Sequence, residues 1–294
     1  MKTLFVAHDI GGAQLLYSYI LCNALSDYLI VAEGPALQPF EGIDRKSFIG
    51  RAQGMEMIKA AEIRQVITGT SWDSDVELEL ILQAKAAKIP TVSVLDHWTN
   101  YRERFRYPES GWEKFLPDTL WAHDPTSLHL LQSLFPSVRS ELKENFFLTL
   151  NQRLFSGRLA LPAENSILYM TEPTSKHFGA QLGYNEFGAL ELFLNKYEKI
   201  FPHGPTGKIT LRPHPSERDI APKKYGVFMQ RGHLQLSLEP NVFLDILSHR
   251  CVVGCDTMGM YYSAQLGRTV YCSIPQNGQE CSLPISGLIY LKDL

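Results

Sequence analysis

Lys208-Ile209-Thr210-Leu211-Arg212-Pro213-His214-Pro215-Ser216-Glu217 and, further along, Val252-Val253-Gly254-Cys255-Asp256-Thr257-Met258-Gly259-Met260 follow one pattern. Each reads as a short buried strand running into a turn that carries phosphate-compatible groups. The first turn offers a guanidinium, an imidazole and hydroxyls; the second offers a hydroxyl and a glycine at the start of a helix. Two such strand ends side by side would make one anion site, and parallel strands in an α/β domain place them so.

The pattern continues around these motifs. In the second half, residues 167–170, 209–211, 251–254 and 269–274 read as strands, and residues 186–200, 242–247 and 258–266 as helices. The first half alternates in the same way. Strands are expected at 3–7, 28–32, 65–68, 91–95 and 119–122, and helices at 14–25, 55–62 and 76–88. Strand-helix alternation means parallel strands with crossover helices, and continuously apolar strands mean sheets covered on both faces. Residues 151–163 resemble a linker helix. The expected fold class is therefore α/β: two Rossmann-like domains, 1–152 on the acceptor side and 153–294 binding the nucleotide sugar, with parallel sheets facing a central cleft.

Composition narrows the function. A chain of 294 residues that is 45% hydrophobic and 11% aromatic can bury two cores of ordinary domain size. A net charge of -3 argues against nucleic acid as a partner. Five cysteines, mostly in apolar runs, read as reduced and structural, and Cys251 and Cys255 lack the second ligand pair a zinc site needs. The chain opens on a strand rather than on a signal-peptide pattern, and the apolar stretch 15–25 is too short to span a bilayer, so a cytoplasmic protein is expected.

In the second domain, Pro213 and Pro215 fix the backbone around His214 and remove two amide donors, so the turn is stiff and the imidazole projects in one direction. Next to Arg212 and Ser216, it suits a phosphate whose charge grows as its bond to carbon breaks. The plain alternative is a histidine that caps a helix. Asp256 and Thr257 stand where a helix begins and could cap it, bind phosphate, or both. Thr171 and Ser175 follow the first strand of this domain and offer further hydroxyls.

In the first domain, His8-Asp9-Ile10-Gly11-Gly12 closes the first strand, and Gly11 and Gly12 would let a bound group approach the helix N-terminus. G-x-G-x-x-G is absent, which disfavours a nicotinamide enzyme. Asp73 and Asp96 with His97 close two further strands of the same sheet, so Asp9, Asp73 and Asp96 are all candidates for a general base. Asp73-Ser74-Asp75 has metal-ligand spacing but sits where a helix starts, and no metal is expected. Arg102, Arg104 and Arg106 would lie on one side of an extended segment, as a solvated face or as a contact for an anionic acceptor or membrane surface.

His214-Pro215 and the later Asp256-Thr257 resemble the His-Pro motif and the hydroxyl-rich phosphate motif of a group of GT-B glycosyltransferases. That group comprises bacterial sialyltransferases, polysialyltransferases and capsule or teichoic-acid polymerases that use cytidine-nucleotide donors. The resemblance covers the C-terminal part of the chain by motif and all of it by architecture. It implies that His214 binds the donor phosphate and assists departure of the nucleotide, and that Thr257 belongs to the hydroxyl motif. The family's acidic pair followed by glycine has no match here, and Asp-Thr-Met stands where a serine pair would.

The expected function is thus an inverting, metal-independent glycosyltransferase without cofactor. It would move a sugar, a nonulosonic acid such as sialic acid or Kdo, from a CMP-activated donor to a glycan or glycolipid acceptor in surface polysaccharide or glycoconjugate synthesis, with possible peripheral membrane contact. A UDP-sugar epimerase or hydrolase on the same fold, and a non-catalytic nucleotide-sugar or glycan-binding protein, are the alternatives.

Overall fold

The computed structural model describes residues 1–158, 162, 166–177, 179–201, 209–231 and 233–294. Residues 159–161 and 163 of the expected linker helix, and Lys208 at the head of the first motif, lie outside the described residues. The chain divides into two units, Met1–Leu154 and Phe155–Leu294.

The first unit alternates β1 (Lys2–Ala7), α1 (Ile10–Cys22), β2 (Tyr28–Ala32), α2 (Arg51–Lys59), β3 (Ile63–Thr68), α3 (Val76–Ala86), β4 (Thr91–Val94), β5 (Thr119–Ala122), α4 (Pro125–Leu134), β6 (Arg139–Leu142) and α5 (Phe146–Leu154). Its six strands pair in parallel in the order β2-β1-β3-β4-β5-β6. Phe5 and Ala7 pack in one apolar cluster with Leu16, Ile30 and Trp121, while Leu4 and Val6 pack in another with Val31, Val66 and Leu80. Alternate residues of β1 therefore feed opposite faces, which is why its sequence is apolar throughout.

The second unit runs β7 (Ile167–Met170), α6 (Thr174–His177), α7 (Gly179–Leu182), α8 (Glu186–Ile200), β8 (Ile209–Arg212), α9 (Ala221–Lys224), α10 (Gly226–Met229), β9 (Leu234–Leu236), α11 (Val242–Ser248), β10 (Cys251–Gly254), α12 (Met258–Gln265), β11 (Thr269–Cys272) and β12 (Ile289–Tyr290). Its parallel sheet has the order β12-β11-β10-β7-β8-β9. Counted within the unit, that is the doubly wound Rossmann order, and strand succession reverses between β7 and β10. In the first sheet the reversal falls between β1 and β3. Chains leaving neighbouring strands at such a point diverge and open a crevice at their carboxyl ends.

Three strands were not evident from the apolar pattern. β6 carries Arg139 and Glu141 and is nowhere fully buried, as suits an edge that must not pair with another chain. β9 has 3 residues and β12 has 2, too few for a period to show. The stretch with Arg102 and Arg104 forms a 3-10 turn over Glu103–Phe105 and is not extended. All five cysteines carry free thiols, with Cys251, Cys255 and Cys272 buried. Among the described residues no helix is long and apolar enough to cross a membrane.

Candidate functional site

The ends of β8, β7 and β10 are adjacent in the second sheet. Thr171 ties two of them together: its N–H donates to the Arg212 carbonyl at 3.0 Å, and its Oγ1 accepts the His214 N–H at 3.3 Å. His214 opens the 3-10 turn Pro215–Glu217, with Nδ1 accepting the Ser216 N–H at 3.3 Å and lying 2.8 Å from Ser216 Oγ. A neutral imidazole that accepts at Nδ1 carries its proton on Nε2. The cap and the functional reading of His214 are thus compatible, because the cap presets Nε2–H as a donor. The residue is half-buried and outside the core clusters.

Three other residues expected to bind phosphate are engaged within the unit. Arg212 is buried and donates to the Asp245 carboxylate, to the Glu239 carbonyl at 2.8 Å and to the Pro240 carbonyl at 3.0 Å. Burial pushes its pKa down against the pull of Asp245, and the guanidinium locks β8 to α11. Ser175 donates its N–H and its hydroxyl to Glu186 at 2.9 and 2.6 Å, and Thr174 and Lys224 bind the same carboxylate. Burial alone would raise the Glu186 pKa, but Lys224 and Ser175 hold it at about 2. Asp256 accepts the Ser282 N–H at 2.8 Å and the Cys281 thiol at 3.2 Å, which pins the loop after β11. Thr257 is different. It occupies the N-cap position of α12 without a side-chain cap bond, so the helix does not use its hydroxyl.

Sequence reasoning missed Glu172. Its Oε2 accepts the Asp256 N–H at 3.2 Å, and burial, with the Asp256 charge adding to it, pushes its pKa to about 8. A carboxyl that is neutral at pH 7 thus sits where strand order reverses. A glutamate directly after the buried strand Ile167–Met170 was the available signal.

In the first unit His8 and Asp9 follow β1 and Ser71 follows β3. His8 Nδ1 lies 3.0 Å from Asp9 Oδ1 and 3.1 Å from Ser71 Oγ, and Ser71 donates to the same Asp9 oxygen at 2.9 Å. Asp9 stands at the N-cap of α1 but makes no cap bond; its carboxylate orients the imidazole instead. With Nδ1–H given to Asp9, Nε2 is the basic nitrogen. Gly34, at φ 53°, borders that side of the ring, and a Cβ there would come 2.6 Å from Nε2. Both the backbone and the space call for glycine.

The remaining acceptor-side residues part company. Asp96 Oδ1 pairs with buried Arg104 at 2.7 Å, and Arg104 also donates to Thr70 Oγ1 at 2.9 Å. A Cβ on Gly11 would come 1.8 Å from Asp96 Oδ2, and one on Gly12 would come 3.0 Å from the Gly69 Cα. The glycine pair therefore permits a close approach of Asp96 and Gly69. Asp73 is exposed, its N–H donating to Ser71 Oγ at 3.2 Å. Ser74 Oγ accepts the Val76 N–H at 3.2 Å and Asp75 pairs with Arg106, so the Asp-Ser-Asp run starts α3. His97 Nδ1 lies 3.1 Å from Thr99 Oγ1. Arg102 donates to the Leu134 carbonyl at 3.2 Å and lies over the Tyr107 ring at 5.6 Å. Arg102, Arg104 and Arg106 thus have separate partners, and the single basic face expected for an acceptor or a membrane does not form.

No protein-family model matches the sequence, and no curated protein matches it. Solved structures do match the fold. The UDP-GlcNAc 2-epimerase from Neisseria meningitidis bound to UDP-GlcNAc superposes with a TM-score of 0.62 at 16% identity, over 95% of this chain and 84% of its own. The epimerase from Methanocaldococcus jannaschii in complex with UDP-GlcNAc and UDP gives 0.59 at 14% identity, over 99% and 88%. The wall teichoic acid polymerase TagF, as its H444N variant, gives 0.54 at 12% identity, over 92% and 70%. At these identities the likeness is one of fold: the chain has two Rossmann-like domains in the GT-B class. Likeness to sialyltransferases rests on the sequence motifs alone.

Proposed function

We propose that the protein transfers a sugar from a nucleotide-activated donor to a glycan acceptor with inversion. The observation that carries this reading is the His-Pro turn, whose Nδ1 cap sets His214 Nε2–H as a donor at a strand end beside β7. His8 Nε2, oriented by Asp9, takes the proton of the acceptor hydroxyl. The acceptor oxygen attacks the anomeric carbon, and the bond from that carbon to the phosphate oxygen breaks. The electron pair leaves with the phosphate, where His214 Nε2–H, the Thr257 hydroxyl and the amides opening α12 meet the developing charge.

What these groups are supports a nucleoside monophosphate as the leaving group. Asp245 already neutralises Arg212, and Glu186 already holds Ser175. The donors assigned to the phosphate are then dipoles rather than fixed cations, which suits the smaller charge of a nucleoside monophosphate. A CMP-activated sugar of the nonulosonic acid or Kdo type is the proposed donor. A second reading, a UDP-sugar epimerase or hydrolase, is favoured by the UDP-GlcNAc 2-epimerases among the structural neighbours.

A thermal-shift panel separates them. A ligand at a hundred times its Kd stabilises the native state by about 2.7 kcal/mol. CMP is expected to raise Tm by several degrees at concentrations where CDP, UDP and GDP do little. Preference for UDP would move the assignment to the second reading, and no response to any nucleotide would contradict both.

A further inference from the structure

Glu77 lies in the first turn of α3 and is only 2% exposed. Its Oε1 accepts the His8 N–H at 2.9 Å, and its Oε2 is buried without a hydrogen-bond partner among the described residues. A half-satisfied buried carboxylate is costly, and Val76, Leu80 and Ala84 of the same helix already supply the packing on this side of the sheet. Placement in a first helical turn favours the ionised form, yet burial outweighs it. Burial, with the charge of Asp9 adding to it, pushes the pKa to about 7, against the His8 ring and the N–H groups of His8 and Glu77 itself. The charged groups that act on this carboxyl, His8 and Asp9, both come from the turn after β1.

We propose that Glu77 is a positioning residue for His8: it pins the turn after β1 through the His8 N–H and so fixes where the imidazole stands. This rests on the reading of His8 as the base. When the ring takes a proton from an acceptor hydroxyl, Asp9 meets the new charge at Nδ1, and Glu77 holds the turn that carries both residues.

Two variants test this by 15N NMR of the full chain. Glu77→Gln keeps an acceptor for the His8 N–H, so exchange of the His8 amide is expected to stay within about twofold of the parent's. Glu77→Ala removes the acceptor, so exchange of the His8 amide is expected to rise at least about tenfold. An exchange rate unchanged in Glu77→Ala, or raised as much in Glu77→Gln, would overturn the proposal. Turnover of His8→Ala reads the base assignment separately. Normal turnover alongside the expected exchange rates removes the base and leaves the positioning contact standing, whereas lost turnover with no change in exchange removes the contact and leaves the base.

Discussion

His214→Ala is expected to lower kcat by about 10² or more, the scale on which losing one positioned stabiliser of developing charge is felt. Donor affinity should change little, because the hydroxyl and amide donors of Thr257 and α12 remain and a hydrogen bond made to the ground-state phosphate is worth far less than one made to the departing one. The effect therefore belongs in kcat rather than in KM. The fold should survive as well, since the cap lost is that of a three-residue 3-10 turn braced by Pro213 and Pro215. Steady-state kinetics of nucleotide release checks this, and a variant that turns over normally removes His214 from the leaving group.

The second large effect is on stability. Glu172 titrates at about 8 in the folded protein against a reference of 4.5, so the native state holds this proton more tightly than the unfolded chain does. Its contribution is complete below pH 4.5 or so, declines as pH rises towards 8 and is flat above, a loss of about 3 kcal/mol once partial solvent access is allowed for. Glu77 adds a slope of the same sign that ends near pH 7. Glu186, held at about 2, has the opposite sign, and its stabilisation is lost as pH falls below 4.5. Glu172→Gln keeps the acceptor for the Asp256 N–H and cannot ionise. In urea titrations this variant should match the parent near pH 5, exceed it by about 3 kcal/mol at pH 8.5, and lose the part of the decline between pH 7 and 8. Parallel curves across this range would contradict the assignment.

Much of the fold was legible because its strands are buried on both faces. Leu4-Phe5-Val6-Ala7 and Val252-Val253-Gly254 are apolar without interruption, and such runs separated by helical ones leave few alternatives to a doubly wound sheet. β6 and the edge strands β9 and β12 were hidden by being polar or short.

The turns that carry the candidate residues were legible, but their partners were not. Strand ends located the turns correctly, yet a sequence does not show whether a polar residue there already has a partner. Arg212 has Asp245, 33 residues on, and Ser175 has Glu186, 11 residues on. Asp9 was a candidate base, and its carboxylate lies against the His8 ring, while the space beside Gly11 and Gly12, read as room for a ligand, is bordered by Asp96 and Gly69. Glu77 and Glu172 were passed over because burial, which gives each its altered acidity, has no local signature in a single chain.

His214 Nε2–H is expected to meet the phosphate of the donor nucleotide, and the 15N spectrum of the His214 imidazole during titration with CMP measures this. The free protein is expected to carry the ring proton at Nε2, and that nitrogen to shift saturably on binding, with Nδ1 held by Ser216 throughout. A ring protonated at Nδ1, or an Nε2 resonance that stays still while CMP saturates the protein, would contradict it.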